Sequence, residues 1–161
     1  MKYSLVVVFF LASLFSNLAS CDEDAAVPGI PDAENINSNN TPDSARNQMR
    51  IKIGTRTFTA TLYSNATATA FKTLLPVTVR MSELNGNEKY VDLPGNLPAN
   101  ASNPGTIQNG DLMLYGSSTL VLFYKTFSTS YSYTRLGRID DVTGLAAALG
   151  SGKVTVTYQL E

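Results

Sequence analysis

Residues 50–62 read RIKIGTRTFTATL, and this stretch decides the fold class. Apolar side chains alternate with charged or threonine side chains on both sides of Gly54-Thr55, where the chain can turn. An alternation of period two is typical of a β-strand with one buried face. The stretch therefore predicts a β-hairpin. Its apolar positions are Ile51, Ile53, Phe58, Ala60 and Leu62.

The same alternation recurs further along the chain. It predicts strands at residues 77–81, 90–93, 111–115, 120–125 and 154–160. Aromatic and polar side chains also alternate over residues 127–134, and Leu136 and Ile139 continue this segment to Asp140. The run LVLFY at 120–124 is apolar on both sides, so we expect a central strand or one covered by a helix. Prolines and glycines predict a long loop at residues 94–106.

Two short helices are predicted between the strands. Ser64 or Asn65 can cap the first, which Pro76 stops. The apolar face of this helix comprises Ala68, Phe71, Leu74 and Leu75. Asp140-Asp141 can cap the second, which ends at Gly150. Seven or eight strands with two helices in residues 49–161 predict a mainly β fold, an eight-stranded barrel closed at its ends by the helices.

Several ordered segments carry a family resemblance. They are LLPVTVRM at 74–81, LNGNEKY at 84–90, GDLMLYG at 110–116, LFY at 122–124 and LGRID at 136–140. With these segments, residues 49–161 resemble the bacterial cyclophilin-like fold proteins. The resemblance implies a cyclophilin-type closed barrel of eight strands and two helices, and it carries over no assigned activity.

True cyclophilins are prolyl isomerases, so the resemblance raises isomerase activity as a hypothesis. An isomerase would hold proline in an apolar pocket while an arginine stabilises the twisted amide. This chain has no histidine and no tryptophan, and it lacks the Phe-His-Arg signature of cyclophilins. Arg80 follows the first helix and is the candidate catalytic residue if the protein is an isomerase. Its alternation with Val79 and Met81 equally suits a solvated strand arginine.

Composition excludes several other kinds of chemistry. Without histidine, and with one cysteine, the chain offers no imidazole or thiolate metal site and no Ser–His catalysis. No glycine-rich phosphate loop precedes a helix. The ten bases and seven acids of residues 49–161 are scattered, so we expect solvated charges and no nucleic-acid surface. The sequence predicts neither a metal nor another cofactor.

Aromatic residues are concentrated between residues 115 and 133, with two arginines nearby. Tyrosine and arginine together suit a recognition surface. Strands favour aromatics in any case, so most of these side chains are expected to fill the barrel. The candidate ligand-binding residues are Tyr115, Tyr131, Tyr133 and Arg135.

Residues 1–20 resemble a secretory signal. Lys2 is followed by an apolar run and small residues, and Leu18-Ala19-Ser20-Cys21 resembles a bacterial lipobox. The apolar run is shorter than the roughly 20 residues that a membrane-spanning helix needs. We therefore expect lipid on Cys21 and anchoring to a membrane outside the cytoplasm, on the periplasmic face or the cell surface. Plain secretion with a free thiol is the alternative.

Residues 21–48 have the composition of a flexible tether. They contain three prolines and almost no large apolar side chains, and six acids stand against one base. Such a segment cannot bury enough apolar surface to offset the entropy of ordering it. Asp43-Ser44-Ala45 also matches a short O-glycosylation signal, and a plain polar linker explains it equally well.

The expected function is a membrane-anchored cyclophilin-like domain that binds a peptide, a glycan or a small ligand without catalysis. A divergent prolyl isomerase for exported proteins is the alternative, and a structural subunit of an envelope assembly is the third.

Overall fold

The computed structural model of the protein describes residues 47–161. The ten strands are β1 (Gln48–Ile53), β2 (Arg56–Leu62), β3 (Val77–Leu84), β4 (Glu88–Asp92), β5 (Thr106–Ile107), β6 (Asp111–Tyr115), β7 (Thr119–Phe123), β8 (Phe127–Ser128), β9 (Thr134–Ile139) and β10 (Val154–Leu160). The helices are α1 (Ala66–Lys72) and α2 (Leu145–Leu149). The predicted signal segment, Cys21, Ser44 and nearly all of the tether lie outside the described residues.

Eight of the strands form a closed antiparallel barrel. Its order is β1-β10-β3-β4-β7-β6-β9-β2, with β2 paired back to β1. The inward positions of the strands supply the core, and Ala68 and Phe71 of α1 and Leu145 and Leu149 of α2 pack against it. The predicted fold, a mainly β closed barrel with two short helices, is confirmed.

Helix α1 begins where the sequence predicted and ends earlier. Asn65 is the N-cap, and its Oδ1 accepts a hydrogen bond from Ala68 N at 2.8 Å. The same side chain donates to the carbonyl oxygen of Arg135 at 2.9 Å, which ties the helix to β9. The helix ends at Lys72, so Leu74 and Leu75 lie beyond it, where they pack against the barrel core.

The predicted cap of the second helix is wrong. Helix α2 starts after Gly144, and Asp140 and Asp141 lie several residues earlier. Asp140 Oδ1 accepts from Thr61 Oγ1 at 2.9 Å, and Asp141 Oδ1 accepts from Thr143 N at 2.9 Å. Asp141 therefore stabilises the turn before the helix, because aspartate readily accepts from a backbone N–H two residues on, whereas Asp140 connects this segment to β2.

The alternation of aromatic and polar residues over 127–134 does not form one continuous strand. The structure has the two-residue strand β8, then an irregular segment, and β9 begins only at Thr134. Tyr133 forms an isolated bridge with Ser102 of the long loop. Serines alternating with aromatics mimic a strand pattern, but β8 pairs with β5 and not with the barrel.

The segments containing β5 and β8 cover part of the outer face of β6 and β7. Beneath them lies a second apolar cluster outside the barrel, formed by Ile107, Met113, Val121, Phe123 and Tyr133. Strand β7 is thus buried on both faces, as its sequence predicted, although a small sheet covers it instead of a helix. Across residues 47–161, the longest helix is much shorter than a bilayer crossing requires.

Candidate functional site

A cleft of about 610 Å³ lies on the outer side of the barrel beside β4. Three stretches border it: the β3–β4 hairpin, strands β6 and β7, and the irregular segment that follows β8. Its lining comprises Leu84, Asn85, Asn87, Glu88, Tyr90, Asp92, Tyr115, Thr119, Val121, Phe127, Ser128, Thr129, Ser130, Tyr131 and Tyr133.

Strand β4 supplies the charged side of the cleft. Because side chains alternate along a strand, Glu88, Tyr90 and Asp92 share the outer face, while Lys89 lies on the opposite face. Asp92 is opposite Thr119 of β7, and its Oδ1 accepts a hydrogen bond from Thr119 Oγ1 at 2.6 Å. Both carboxylates on this face therefore border the cleft.

Three tyrosines form the aromatic side. The Tyr115 ring centroid lies 5.6 Å from that of Tyr133 and 6.3 Å from that of Tyr131, the latter pair nearly perpendicular. Tyr133 is anchored by an edge-to-face contact with Phe123 at 5.5 Å and is only 7% exposed. Tyr131 is 62% exposed and Tyr115 47%. The buried ring of Tyr133 thus contacts Tyr115, and Tyr115 in turn contacts Tyr131.

Glu88 is the unusual group of the cleft. Its side chain is 9% exposed, and it makes no hydrogen bond or ion pair with any residue between 47 and 161. Burial raises the pKa of the Glu88 carboxyl, and the negative charge of Glu83 raises it further. Burial also raises the pKa of the Tyr133 hydroxyl, with a further contribution from the charge of Glu88. The cleft therefore holds a desolvated carboxyl close to an aromatic wall.

The next residue along the chain, Lys89, is wholly buried on the inner side of the strand. Its Nζ forms an ion pair with Glu83 and donates to the carbonyl oxygens of Gly150 at 2.8 Å and Gly152 at 2.6 Å. Burial alone would raise the pKa of Glu83, but hydrogen bonds from Lys89 and Tyr124 and the charge of Lys89 hold it below its usual value. The ammonium of Lys89 therefore has its partners inside the barrel and does not reach the cleft.

The expectation of solvated charges is wrong for Glu88 and Lys89. Both belong to β4, which starts two residues earlier than the sequence predicted. Had the alternation of Tyr90 and Val91 been extended backward, it would have placed Lys89 with Val91 on the inner face. That signal was present in the sequence, but the polarity of Asn87-Glu88-Lys89 masked it.

The structure brings together only some of the predicted site residues. Tyr115, Tyr131 and Tyr133 border one cleft. Arg135 is exposed on β9, opposite Met113, and does not line the cleft. Arg80 is exposed on β3, opposite Thr155, and is also outside the lining. The proposed lipid site Cys21 lies outside the described residues.

A second cavity, of about 500 Å³, lies at the β1–β2 turn and is lined by Arg56, Asp140 and Asp141 among others. The two carboxylates already accept hydrogen bonds, and the positive charge of Arg56 acts on Asp141. One arginine thus faces two carboxylates, each of which already has a hydrogen-bond donor. In the part of the chain from residue 47 on, no three acidic or cysteine side chains gather into a metal site.

Comparisons with known proteins identify the family of this chain. A search of curated protein sequences finds no match. Among solved structures, the chain is similar to the solution structure of a hypothetical protein from Archaeoglobus fulgidus. The two are 16% identical with a TM-score of 0.49, and the alignment covers 71% of this chain and 94% of that one. The sequence profile of the cyclophilin-like family matches residues 51–159. The chain therefore belongs to the cyclophilin-like family.

Proposed function

We propose that this cyclophilin-like domain is a non-enzymatic binding module, and that its ligand occupies the cleft beside β4. The observation that carries the proposal is the combination of exposed aromatic surface on Tyr115 and Tyr131 with the largely buried Glu88, whose carboxyl has no partner among residues 47–161. Ligand pockets of a few hundred Å³ commonly combine apolar walls with a small number of polar groups that orient the ligand.

The exposed rings support binding because they are held in place. Tyr133 packs edge-to-face on Phe123, and Tyr115 in turn contacts Tyr133 and Tyr131. Rigid aromatic side chains lose little conformational entropy when they bind a partner. Such a wall is suited to contact a small ligand or the side chain of a peptide.

The location of the domain is the second part of the proposal. We place it outside the cytoplasm, attached to a membrane by lipid on Cys21. Support comes from the sequence alone: the lipobox-like Leu18-Ala19-Ser20-Cys21 and the acidic, proline-containing residues that follow it.

The binding proposal is tested with the full chain purified in an uncharged maltoside detergent. A mixed library of small amines, acids, alcohols, short peptides and oligosaccharides is screened by NMR of the tyrosine rings. We expect binders to shift the signals of Tyr115, Tyr131 and Tyr133. Tyr131→Ala should weaken these binders, and Tyr63→Ala, which changes an exposed tyrosine outside the cleft, should not. A library with no binder at these tyrosines would contradict the proposal.

The anchoring proposal has its own test. Cells producing the chain are fed a labelled fatty acid and then fractionated. Label and membrane association should both be lost in Cys21→Ser, while Ser20→Ala provides a neighbouring substitution that retains the thiol. A Cys21→Ser protein that stays labelled and in the membrane fraction would show that the anchor lies elsewhere.

A further inference from the structure

The charges that border the cleft are all of one sign. Glu88 and Asp92 are its ionisable acids, and among residues 47–161 no lysine or arginine lines it. The nearest base in sequence, Lys89, is held on the other side of the barrel wall by Glu83 and by the carbonyl oxygens of Gly150 and Gly152. The cleft thus presents a negative potential that the described part of the protein does not itself neutralise.

Glu88 is the carboxylate of the cleft that lacks a hydrogen-bond donor among the described residues. A carboxylate that loses most of its water without gaining a donor is costly for the folded state. Glu88 is 9% exposed as a residue and lines the cleft, and no group within the described residues donates to its carboxylate, whose oxygens stay open to the cleft. A ligand that brings a positive charge and N–H donors would supply the missing partner.

The aromatic wall fits the same kind of ligand. Tyr115, Tyr131 and Tyr133 border the cleft together with Tyr90 and Phe127. The faces of aromatic rings attract cations, and groups of such rings recognise alkylated ammonium ions. Rings also cover the alkyl groups attached to the nitrogen. A simple metal cation has no alkyl groups for these rings to cover, and an anion would be repelled by Glu88 and Asp92.

We propose that the cleft binds a substituted ammonium ion, with Glu88 as the counter-ion and Tyr115 and Tyr131 against its alkyl groups. The inference rests on the proposed binding function and specifies its ligand class. The ammonium can belong to a free amine or to a lysine side chain of a peptide, since the recognised chemistry is the same.

The test compares matched probes on the unaltered full chain in maltoside detergent. The probes are n-butylammonium, the uncharged n-butanol and the anion butyrate, which share a short alkyl chain and differ in charge. Binding is followed by calorimetry and by the NMR signals of the cleft tyrosines. We expect n-butylammonium to bind about tenfold or more tightly than n-butanol, and butyrate not to bind. A blocked Gly-Lys-Gly peptide forms a second arm that separates peptide-borne from free amine; binding of either amine supports the inference.

Variants identify the groups responsible. Glu88→Gln should weaken n-butylammonium about tenfold and leave n-butanol unchanged, whereas Glu161→Gln, the same substitution at an exposed ion pair with Arg50, should change neither. Tyr131→Ala should weaken the ammonium several-fold. Circular dichroism verifies that each variant is folded.

Three results would overturn the inference. Equal binding of n-butanol and n-butylammonium at the cleft tyrosines would mean a binding site that does not select cations, and the proposed function would survive. Preferential binding of butyrate would likewise show that the site does not select cations, and the proposed function would survive. If none of these probes binds but other library members shift the cleft tyrosines, only the ammonium assignment fails.

Discussion

Glu88 and Lys89 are consecutive residues with opposite charges, both are buried, and they lie on opposite faces of the same strand. Lys89 satisfies its charge inside the barrel with Glu83, whereas Glu88 borders the outer cleft without a partner among the described residues. One strand therefore separates a structural ion pair from the proposed binding group.

The buried ammonium of Lys89 should contribute strongly to stability. Lys89→Ala removes the partner of Glu83 and leaves the carbonyl oxygens of Gly150 and Gly152 without a donor. Breaking a buried pair in this way lowers the free energy of unfolding by about 3–5 kcal/mol, and we expect the lower end because Glu83 is partly exposed. Urea denaturation measures the loss.

Lys52→Ala is the matched control, because Lys52 is exposed on β1. It should change the free energy of unfolding by less than about 0.5 kcal/mol. The double variant Glu83→Gln/Lys89→Met removes both charges, and it should lower the free energy of unfolding less than Lys89→Ala alone does. Equal effects of Lys89→Ala and Lys52→Ala would show that the interior ion pair contributes nothing measurable.

The pH dependence of stability should reveal the unpaired carboxyl. Glu88 has a pKa raised above 4.5, so the folded state binds its proton more tightly than the unfolded state does. Its ionisation therefore removes stability as pH rises above about 4.5. Glu83, whose pKa is lowered, acts in the opposite sense: it adds stability above 4.5 that is lost as pH falls through its folded pKa.

Glu88→Gln isolates the first effect. The variant should match the unaltered chain in acid and become progressively more stable than it as pH rises towards neutrality. Burial raises the pKa of Tyr124 to about 12 and also raises that of Tyr133, so these neighbouring hydroxyls stay neutral throughout. Urea denaturation at several pH values, with Glu161→Gln as control, gives the comparison. A stability difference that is constant with pH would argue against a raised Glu88 pKa.

The tyrosines of the aromatic wall should differ in their contribution to stability. Tyr133→Ala removes a buried ring that packs on Phe123 and should lower the free energy of unfolding by roughly 3 kcal/mol or more. Tyr131→Ala truncates a mostly exposed ring and should change it by less than about 0.5 kcal/mol. Thermal and urea unfolding of both variants test this. Similar losses would mean that Tyr131 also supports the fold.

Gly137 allows close contact between β9 and β2. A Cβ at this position would lie 2.8 Å from the carbonyl oxygen of Thr61 and 3.1 Å from Leu62 Cα, and backbone atoms cannot move aside easily. Gly137→Ala should therefore lower the free energy of unfolding by about 1–3 kcal/mol. Gly95→Ala is the control, since nothing lies within 4 Å of its added Cβ. If Gly137→Ala leaves the free energy of unfolding unchanged, β9 and β2 can move apart without a loss of stability.

Much of the fold could be predicted from local patterns. The alternation in residues 50–62 predicted β1 and β2, and Asn65, one of two residues predicted to cap the first helix, is its N-cap. The run at 120–124 predicted a strand buried on both faces. Errors arose where a local pattern had two meanings. Asp140-Asp141 has the composition of a helix cap but forms a turn, and the Ser-Tyr alternation before Thr134 resembles a strand that does not form.

The sequence by itself determined the fold class, because strand periodicity and turn residues act over a few neighbouring positions. It also singled out Tyr115, Tyr131 and Tyr133. Only the tertiary structure decided that these rings meet beside Glu88, that Arg80 and Arg135 lie outside the cleft, and that Lys89 is enclosed. The register of β4 determines which face of the barrel wall Glu88 and Lys89 occupy, and the segment over β7 brings the tyrosines beside Glu88. Local sequence does not determine these placements, because burial and pairing of a charge depend on residues distant in the chain.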